Sequence, residues 1–588
     1  MDMEKIIKYW ILIIIGLLTG SCNKGFLEIP PYGQVSEHTL ANKIGVEKLL
    51  IGAYSTLDEF ASNDGYYLNN YTNPDDARAG SNAGVNADYD CFGLAANAGI
   101  PSSRWSEQYL FILRANTVLE ILPKVTDVSD QERKQIEAQA RFIRGFHYLK
   151  AAMLWRNVPW IDETINYGSR NYLVPNDQDI YPKIEADFEF AADNLPETWS
   201  EVGRANKWAA KSFLAKTYMF QKKFTEAKVL LDDIILRGRT SNNLKYDLLP
   251  KYRDNFRTAT KHGAEAVFAV QNSTYDGAGG ANGNIMYFQN GTYGGPANNG
   301  FGWYQPTFDL VDAFQTDAST GLPLIDTYHL SPIPSDYGLT ASQPFTPYAG
   351  TLDPRLDWSV GRRGIPYLDW GVNPGASWVR NQATGGPYVA IKHTAEKASV
   401  STDREGTNRT NVPHNHIRFA DVLLWAAECE VEVGSLDKAQ EYVNRVRARA
   451  ANPQGFVFRY NTDGSITNTP AANYKVGEYP AGEFVARGKS FARKAVRFER
   501  RLELAMEYHR YFDLMRYDGN DFDVAQHHNQ FMQREGQRMA TLFPGNPYLT
   551  GRFTKNKNEL WPIPVQQIAR SIGADGVSVL KQNPGFEQ

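Results

Sequence analysis

Cysteine is nearly missing from this chain: Cys22, Cys91 and Cys429 are the three among 588 residues, too few for a disulfide scaffold or a four-cysteine zinc site. Neither sign of charge dominates. Lys and Arg number 62 against 66 Asp and Glu, leaving −4, so the chain lacks the basic footprint of a general nucleic-acid binder. Catalytic motifs are absent too. There is no His-Glu-x-x-His and no Gly-x-Ser-x-Gly. Gly482–Ser490 has five residues between its glycines where a phosphate-binding loop needs four, and the extra residue would displace the amides that must converge on phosphate. Gly277–Gly283 lacks the third glycine of a dinucleotide fingerprint at its spacing. His414-Asn415-His416 and His527-His528 have no acidic or thiolate partner close in sequence and read as solvated loop histidines.

What is present describes a globular body with a sizeable core. Hydrophobic residues make up 42% of the chain and the mean hydropathy is −0.46, which excludes both a polytopic membrane protein and a mostly disordered chain. At the N-terminus, Lys5 and Lys8 precede the nine-residue apolar run Trp10–Leu18. A membrane-spanning helix needs roughly 20 residues, so this run fits the core of a signal peptide. Thr19-Gly20-Ser21 and then Cys22 follow, an order similar to a bacterial lipoprotein signal, in which the cysteine is acylated; an ordinary secretory signal is the alternative. Acyl chains would hold the protein on a membrane without spanning it, at about 0.8 kcal/mol per buried CH₂.

The body reads as helix hairpins interrupted by long aromatic loops. In Gln131–Arg156, apolar residues recur in steps of three and four at Ile136, Ala140, Ile143, Phe146, Leu149 and Met153, the mark of an amphipathic helix. Ile180–Leu195 is its expected partner. A second hairpin is expected over Asn206–Leu236 and a third over Ile417–Ala451, turning at Gly434-Ser435. These two match at an offset of 212 residues, pairing Ala215 with Ala427, Ala227 with Ala439, Leu231 with Val443 and Ile234 with Val446. Small alanines let paired helices approach while larger residues fill the groove, the physical content of a tetratricopeptide-like pair. Repeats this far apart imply inserted segments that leave a helical stack and return.

The insert differs in composition. Ser273–Thr307 holds nine glycines, seven aromatics and one charge, Asp276; glycine allows turns from which rings can be displayed. Leu322–Asn411 continues with prolines and tryptophans and is expected to form loops and short strands. Cys429 reads as a small buried hydrophobe, and Cys91 lies in a polar loop region. Arg493–Tyr517 reads as one charged helix, with Glu499, Glu503 and Glu507 on one face and arginines interleaved. A glycosidase sets its two carboxylates across a cleft, so carboxylates along one helix face point to a structural ion-pair ladder.

The order of motifs resembles the SusD/RagB family of Bacteroidetes nutrient-binding lipoproteins, nearly end to end. After Cys22 comes Phe26–Pro30, then Arg114-Ala115-Asn116, Ala140–Tyr148, Trp155–Pro159 and Gly203–Ala210. Asp353-Pro354-Arg355, Ile417–Asp421, Val443–Arg447, Glu499–Glu503, Asp513–Arg516, Trp561–Pro564 and Gln582–Phe586 follow in family order. The resemblance implies a mainly α, SusD-like scaffold of tetratricopeptide-like helix pairs with loop-rich insertions, no cofactor and no catalytic activity. It also implies a partner, a SusC-like TonB-dependent outer-membrane barrel over which the lipid-anchored protein lies as a lid, facing the outside. On this reading residues 1–21 are the signal, 22–270 an N-terminal helical region, and 271–588 a C-terminal region with a loop-rich insert at about 273–411 and returning helices. The expected activity is capture of an oligo- or polysaccharide; a peptide ligand as in the RagB branch is the alternative, with a glycoside hydrolase and a pure transporter adaptor as the competing classes.

Sugars present apolar C–H faces and a rim of hydroxyls, so a site needs aromatic platforms beside planar hydrogen-bonding groups. Two segments offer both. Gly65–Arg78 supplies Tyr66, Tyr67, Tyr71, Asp75 and Arg78. The glycine-rich insert supplies Trp303 and Tyr304, with Trp370 and Trp378 following. Trp303 stands out because Gly300 and Gly302 flank it and no helical periodicity claims its ring. Cys22 is the expected lipidation site, and no metal ligand set is expected.

Overall fold

Ser129 starts a helix of 26 residues. Its hydroxyl accepts from the Glu132 amide while the Glu132 carboxylate accepts from the Ser129 amide, a reciprocal cap that satisfies two otherwise orphaned donors. The computed structural model describes Met3 and residues 37–58, 75–82, 87–169, 171–286, 290–296, 300–406 and 409–587. The longer helices are α1 (Lys43–Tyr54), α2 (Gly99–Ile121), α3 (Asp130–Trp155), α4 (Tyr181–Asn194), α5 (Lys207–Phe220), α6 (Phe224–Arg237), α7 (Phe419–Val433), α8 (Leu436–Ala450), α9 (Glu483–Glu503), α10 (Arg510–Tyr517) and α11 (Val524–Met539).

From α1 to α9 each helix packs on the next in sequence order. The step from α6 to α7 spans the whole insert, yet these two helices are as directly packed as the hairpin neighbours on either side. The repeat at offset 212 is therefore one continuous stack that the chain leaves after Arg237 and rejoins at Phe419. Ala215, Ala427, Ala227, Ala439, Leu231, Val443, Ile234 and Val446 are all fully buried in it, and Cys429 meets Met219 at 3.4 Å across the α5–α7 contact. Gly145 on α3 shows how close the helices come: a Cβ there would lie 3.2 Å from the Phe188 ring of α4. The largest core runs from Val46 to Leu580.

Two strand pairs tie the insert to the stack. β2 (Ala266–Val270) runs antiparallel to β4 (His414–Arg418), the segments where the chain departs and returns. β1 (Ala77–Gly80) runs antiparallel to β3 (Trp303–Pro306). A second core packs Phe308, Leu310, Val311 and Phe314 of the insert against Leu502, Leu514, Phe531 and Met532 of α9–α11.

Three expectations change. The charged segment Arg493–Tyr517 is two helices, broken between Glu503 and Arg510, where Met506 and Tyr508 take φ of 63° and 66°. Its ion pairs are long-range and buried rather than along one face: Glu499 meets Arg355 and Arg447, Glu503 meets Arg355, Arg418 and Arg449, and Arg501 meets Asp76 and Asp309. The histidine pairs are not solvated loops. His414 and His416 are buried on β4, His528 is buried on α11, and His527 lies 2.8 Å from Asp75. Cys91, expected in a polar loop, is buried too.

Candidate functional site

The β1–β3 ladder brings together the two segments singled out for ligand binding, with Arg78 opposite Gln305 and Gly80 opposite Trp303. The residues nominated on that ladder nevertheless face inward. Asp75 is fully buried, accepting from Arg510 Nε at 2.9 Å and Nη2 at 2.6 Å, with Arg501 at 3.4 Å. Burial alone would raise its carboxyl, and the guanidinium groups of Arg501 and Arg510 outweigh that and hold it well below the usual carboxylate range. Arg78 is equally buried, paired with Glu535 and stacked 4.9 Å from the Phe308 ring centroid. Tyr304, at φ 51°, packs its ring 4.4 Å from Tyr508. Trp303 retains 8% exposure. These four form a buried floor beneath this face. Tyr66, Tyr67, Tyr71 and Cys22 lie outside the described residues.

Above that floor is a patch that does face solvent. Tyr293 is 42% exposed and Phe301 37%, and the Arg380 guanidinium lies over both rings, 5.5 Å and 5.3 Å from their centroids. Arg380 Nε donates to Asn82 Oδ1 at 3.1 Å and Nη1 reaches the Phe301 carbonyl at 3.4 Å. Gly302 makes this approach possible: its φ is 64°, and a Cβ there would lie 3.3 Å from the Arg380 side chain. The Ser81 amide donates to the Gly302 carbonyl at 2.7 Å, fixing the loop to the end of β1.

Trp378 and Trp370 flank the patch half-buried. The Tyr293 amide donates to the Trp378 carbonyl at 2.9 Å, and Gly295 gives the Trp378 ring room against the loop. Trp370 donates through Nε1 to Ala395 O at 2.9 Å, beneath Arg404, which itself donates to Pro296 O at 3.0 Å. Both indoles rest on Tyr367, Val379, Val389 and Ile391. The arrangement offers two exposed rings around one guanidinium and one carboxamide, with Trp378 alongside, which suits a ligand with flat apolar faces and a hydroxyl rim. Among the described residues no group of three or more His, Cys, Asp or Glu could hold a metal ion.

Two larger hollows lie elsewhere. One of about 470 Å³ is lined by Trp105, Tyr109, Leu110, Leu113 and Tyr172. The other, about 590 Å³, is bordered by Tyr54, Arg114, Arg204 and Asn282. The first also carries Arg570 and Gln567 beside Tyr172, which is 37% exposed.

A sequence model of the SusD family matches residues 264–586. The chain belongs to the SusD family. A second model, described as starch-binding and associating with the outer membrane, matches residues 25–219. A SusD-like protein of Formosa agariphila is 26% identical over 438 residues, covering 72% of this chain and 71% of its own. A SusD-like protein from Bacteroides fragilis superposes with a TM-score of 0.65 at 19% identity, over 94% of this chain and 99% of the other. A laminarin-binding SusD-like protein gives 0.62 at 21%, over 93% and 100%. The surface glycan-binding protein A of Bacteroides uniformis gives 0.61 at 20%, over 92% and 98%. The SusD scaffold thus accounts for the helical stack and its insert, as the motif order implied, while identities at this level leave the binding patch to be argued from its own residues.

Arg380, the group that organises the patch, was not among the sequence candidates. Its signal was faint, a lone arginine two residues after Trp378 in an irregular stretch. Phe301 had a clearer one, because it sits directly between Gly300 and Gly302.

Proposed function

We propose that this SusD-family protein captures an oligosaccharide on the patch formed by Tyr293, Phe301, Trp378, Arg380 and Asn82, without catalysing a reaction. The observation that carries this reading is the Arg380 guanidinium over the two exposed rings of Tyr293 and Phe301. Rings take the C–H faces of a sugar, and the guanidinium and carboxamide supply planar donors and an acceptor for its hydroxyls. The names of the laminarin-binding and surface glycan-binding relatives support a glycan as ligand class. The buried carboxylates of Asp75, Glu499 and Glu503 are each engaged by arginines, the arrangement of structural ion pairs rather than of two carboxylates set across a cleft.

The same reading makes the protein a lipoprotein anchored through Cys22 on the outer membrane, lying over a SusC-like TonB-dependent barrel that imports the captured ligand. Among the described residues no helix is long and apolar enough to cross a membrane, which accords with attachment by acyl chains.

Calorimetry against a panel of polysaccharides and oligopeptides tests the ligand class. Binding of a glycan with no release of reducing ends supports the proposal. Binding confined to peptides, or reproducible reducing-end release by the purified protein, would overturn it.

A further inference from the structure

A small, largely enclosed cavity lies where the helical stack meets the break between α9 and α10, about 30 Å³ in volume. Space of that size admits one or two waters or a single ion of similar radius. Its wall is drawn from every element around it: Phe146, Lys150 and Met153 of α3, Phe213 and Lys216 of α5, His414 and His416 of β4, Trp425 of α7, Arg500 of α9, and Glu507, His509 and Asp513 of the break and α10. Lys150, Lys216 and Arg500 stand against Glu507 and Asp513 of the wall and against Asp421, 2.9 Å from Arg500. Both wall carboxylates are already engaged. Glu507 accepts from Arg418 and Lys392, and Asp513 accepts from Arg500 and Arg516.

The cations are less well served. Lys216 is 6% exposed, and its ammonium makes no hydrogen bond or ion pair among the described residues, with the ring centroids of Phe213 and Trp425 6.0 Å from it. Arg500 uses Nε on Asp513 and sets Nη2 2.9 Å from Asp421, and its buried Nη1 has no hydrogen-bond partner. His509 Nε2 is also buried without a partner; its nearest carboxylate oxygen, on Asp421, is 3.9 Å away, beyond hydrogen-bond reach. The left-handed residues Met506 and Tyr508 are what turn the chain so that His509 faces this space. Buried donors left unmatched are costly, and Arg500 Nη1 and His509 Nε2 beside the unpaired Lys216 ammonium describe a site for an acceptor of several donors.

We propose that this cavity binds one small monovalent anion of the halide class, held by Lys216, Arg500 and His509. The anion would supply an acceptor for these donors and the counter-charge that Lys216 lacks, and would fasten the α9–α10 break to α3 and α5. Burial, and then the neighbouring Lys150, bring Lys216 down to about 7. The groups facing it are Lys150, Asp421, Arg500, His509 and Asp513. Since the anion favours the ammonium over the amine, its stabilising effect is larger at pH 6 than at pH 9.

Bromide serves as the probe. Melting of the intact protein at pH 6 in sodium bromide, against sodium gluconate of equal ionic strength, is expected to give a Tm higher by about 1 °C or more in bromide. The gain shrinks at pH 9 and vanishes in Lys216→Met. Crystals of the parent protein grown in bromide are expected to show an anomalous peak between Lys216, Arg500 and His509, a measurement that needs no variant. Water alone in the cavity, or equal Tm in the two salts, would overturn the proposal.

Discussion

Arg418 and Glu503, 85 residues apart, meet at 2.5 Å with neither exposed to solvent. Around them Arg355, Arg449, Glu265, Glu507 and Lys392 complete a buried network that joins β4 to α8, α9 and the loop ahead of the insert's second half. Each carboxylate serves at least two cations. The network therefore fixes register between segments that hydrophobic burial alone would leave free to slide.

Removing one member strands the others. Glu503→Ala leaves Arg355, Arg418 and Arg449 facing a vacancy, and breaking a buried pair from one side costs about 3–5 kcal/mol. Chemical denaturation of the variant is expected to show a loss of that size. A loss below about 1 kcal/mol would mean the network carries no such role.

Glu507 of this network and Asp513, held beside it by Arg500 and Arg516, set the acid limit of stability. Burial alone would raise the Glu507 and Asp513 carboxyls, but Arg418 with Lys392, and Arg500 with Arg516, outweigh it and hold both below their ordinary values. A depressed carboxylate contributes stability that is fully present above its unfolded pKa, about 4, and is lost as pH falls through the folded value. Tm is thus expected to fall steeply below about pH 4. Glu507→Gln should flatten that fall, and an unchanged slope in the variant would remove Glu507 from the acid response.

Phe301 and Trp303 differ by two positions and are expected to separate function from stability. Phe301→Ala truncates an exposed ring beside Arg380, and losing a central aromatic contact typically costs above 2 kcal/mol, roughly a thirtyfold rise in Kd, with Tm unchanged. Trp303→Ala empties a buried position on β3 opposite Gly80 and is expected to cost about 3–5 kcal/mol of stability. Calorimetry and melting on both variants decide the assignment. If Trp303→Ala weakens binding while melting normally, the ring reaches the ligand after all.

These two residues also mark how far the sequence could be read. Glycines at 300 and 302 and the absence of helical period singled out Trp303, which is buried: all four residues of β3 are covered, and Gly302, at φ 64°, turns the chain between Phe301 and the strand. The helical stack was legible because its 3.6-residue period and paired alanines are local signals. The break after Glu503 was not, since Met506 and Tyr508 adopt positive φ without glycine to announce it. Arg418 with Glu503, and Arg380 with Phe301, depend on where the insert returns, which only packing decides.

Attachment is the remaining expectation, and it rests on a short stretch of sequence. Nine apolar residues are too few to span a bilayer, and a net charge of −4 gives the chain no overall attraction to anionic lipid. If Cys22 is the anchor, one thiol decides the protein's location. Cys22→Ala is expected to shift it from the membrane fraction to the soluble fraction. With the anchor in place, mild-detergent purification of the parent should recover a large outer-membrane barrel in near-equal amount. The variant should still bind glycan in solution, because the patch at Tyr293, Phe301 and Arg380 is built without the N-terminal segment. A Cys22→Ala protein that stays membrane-bound and accessible to external protease would show that something other than acylation holds it there.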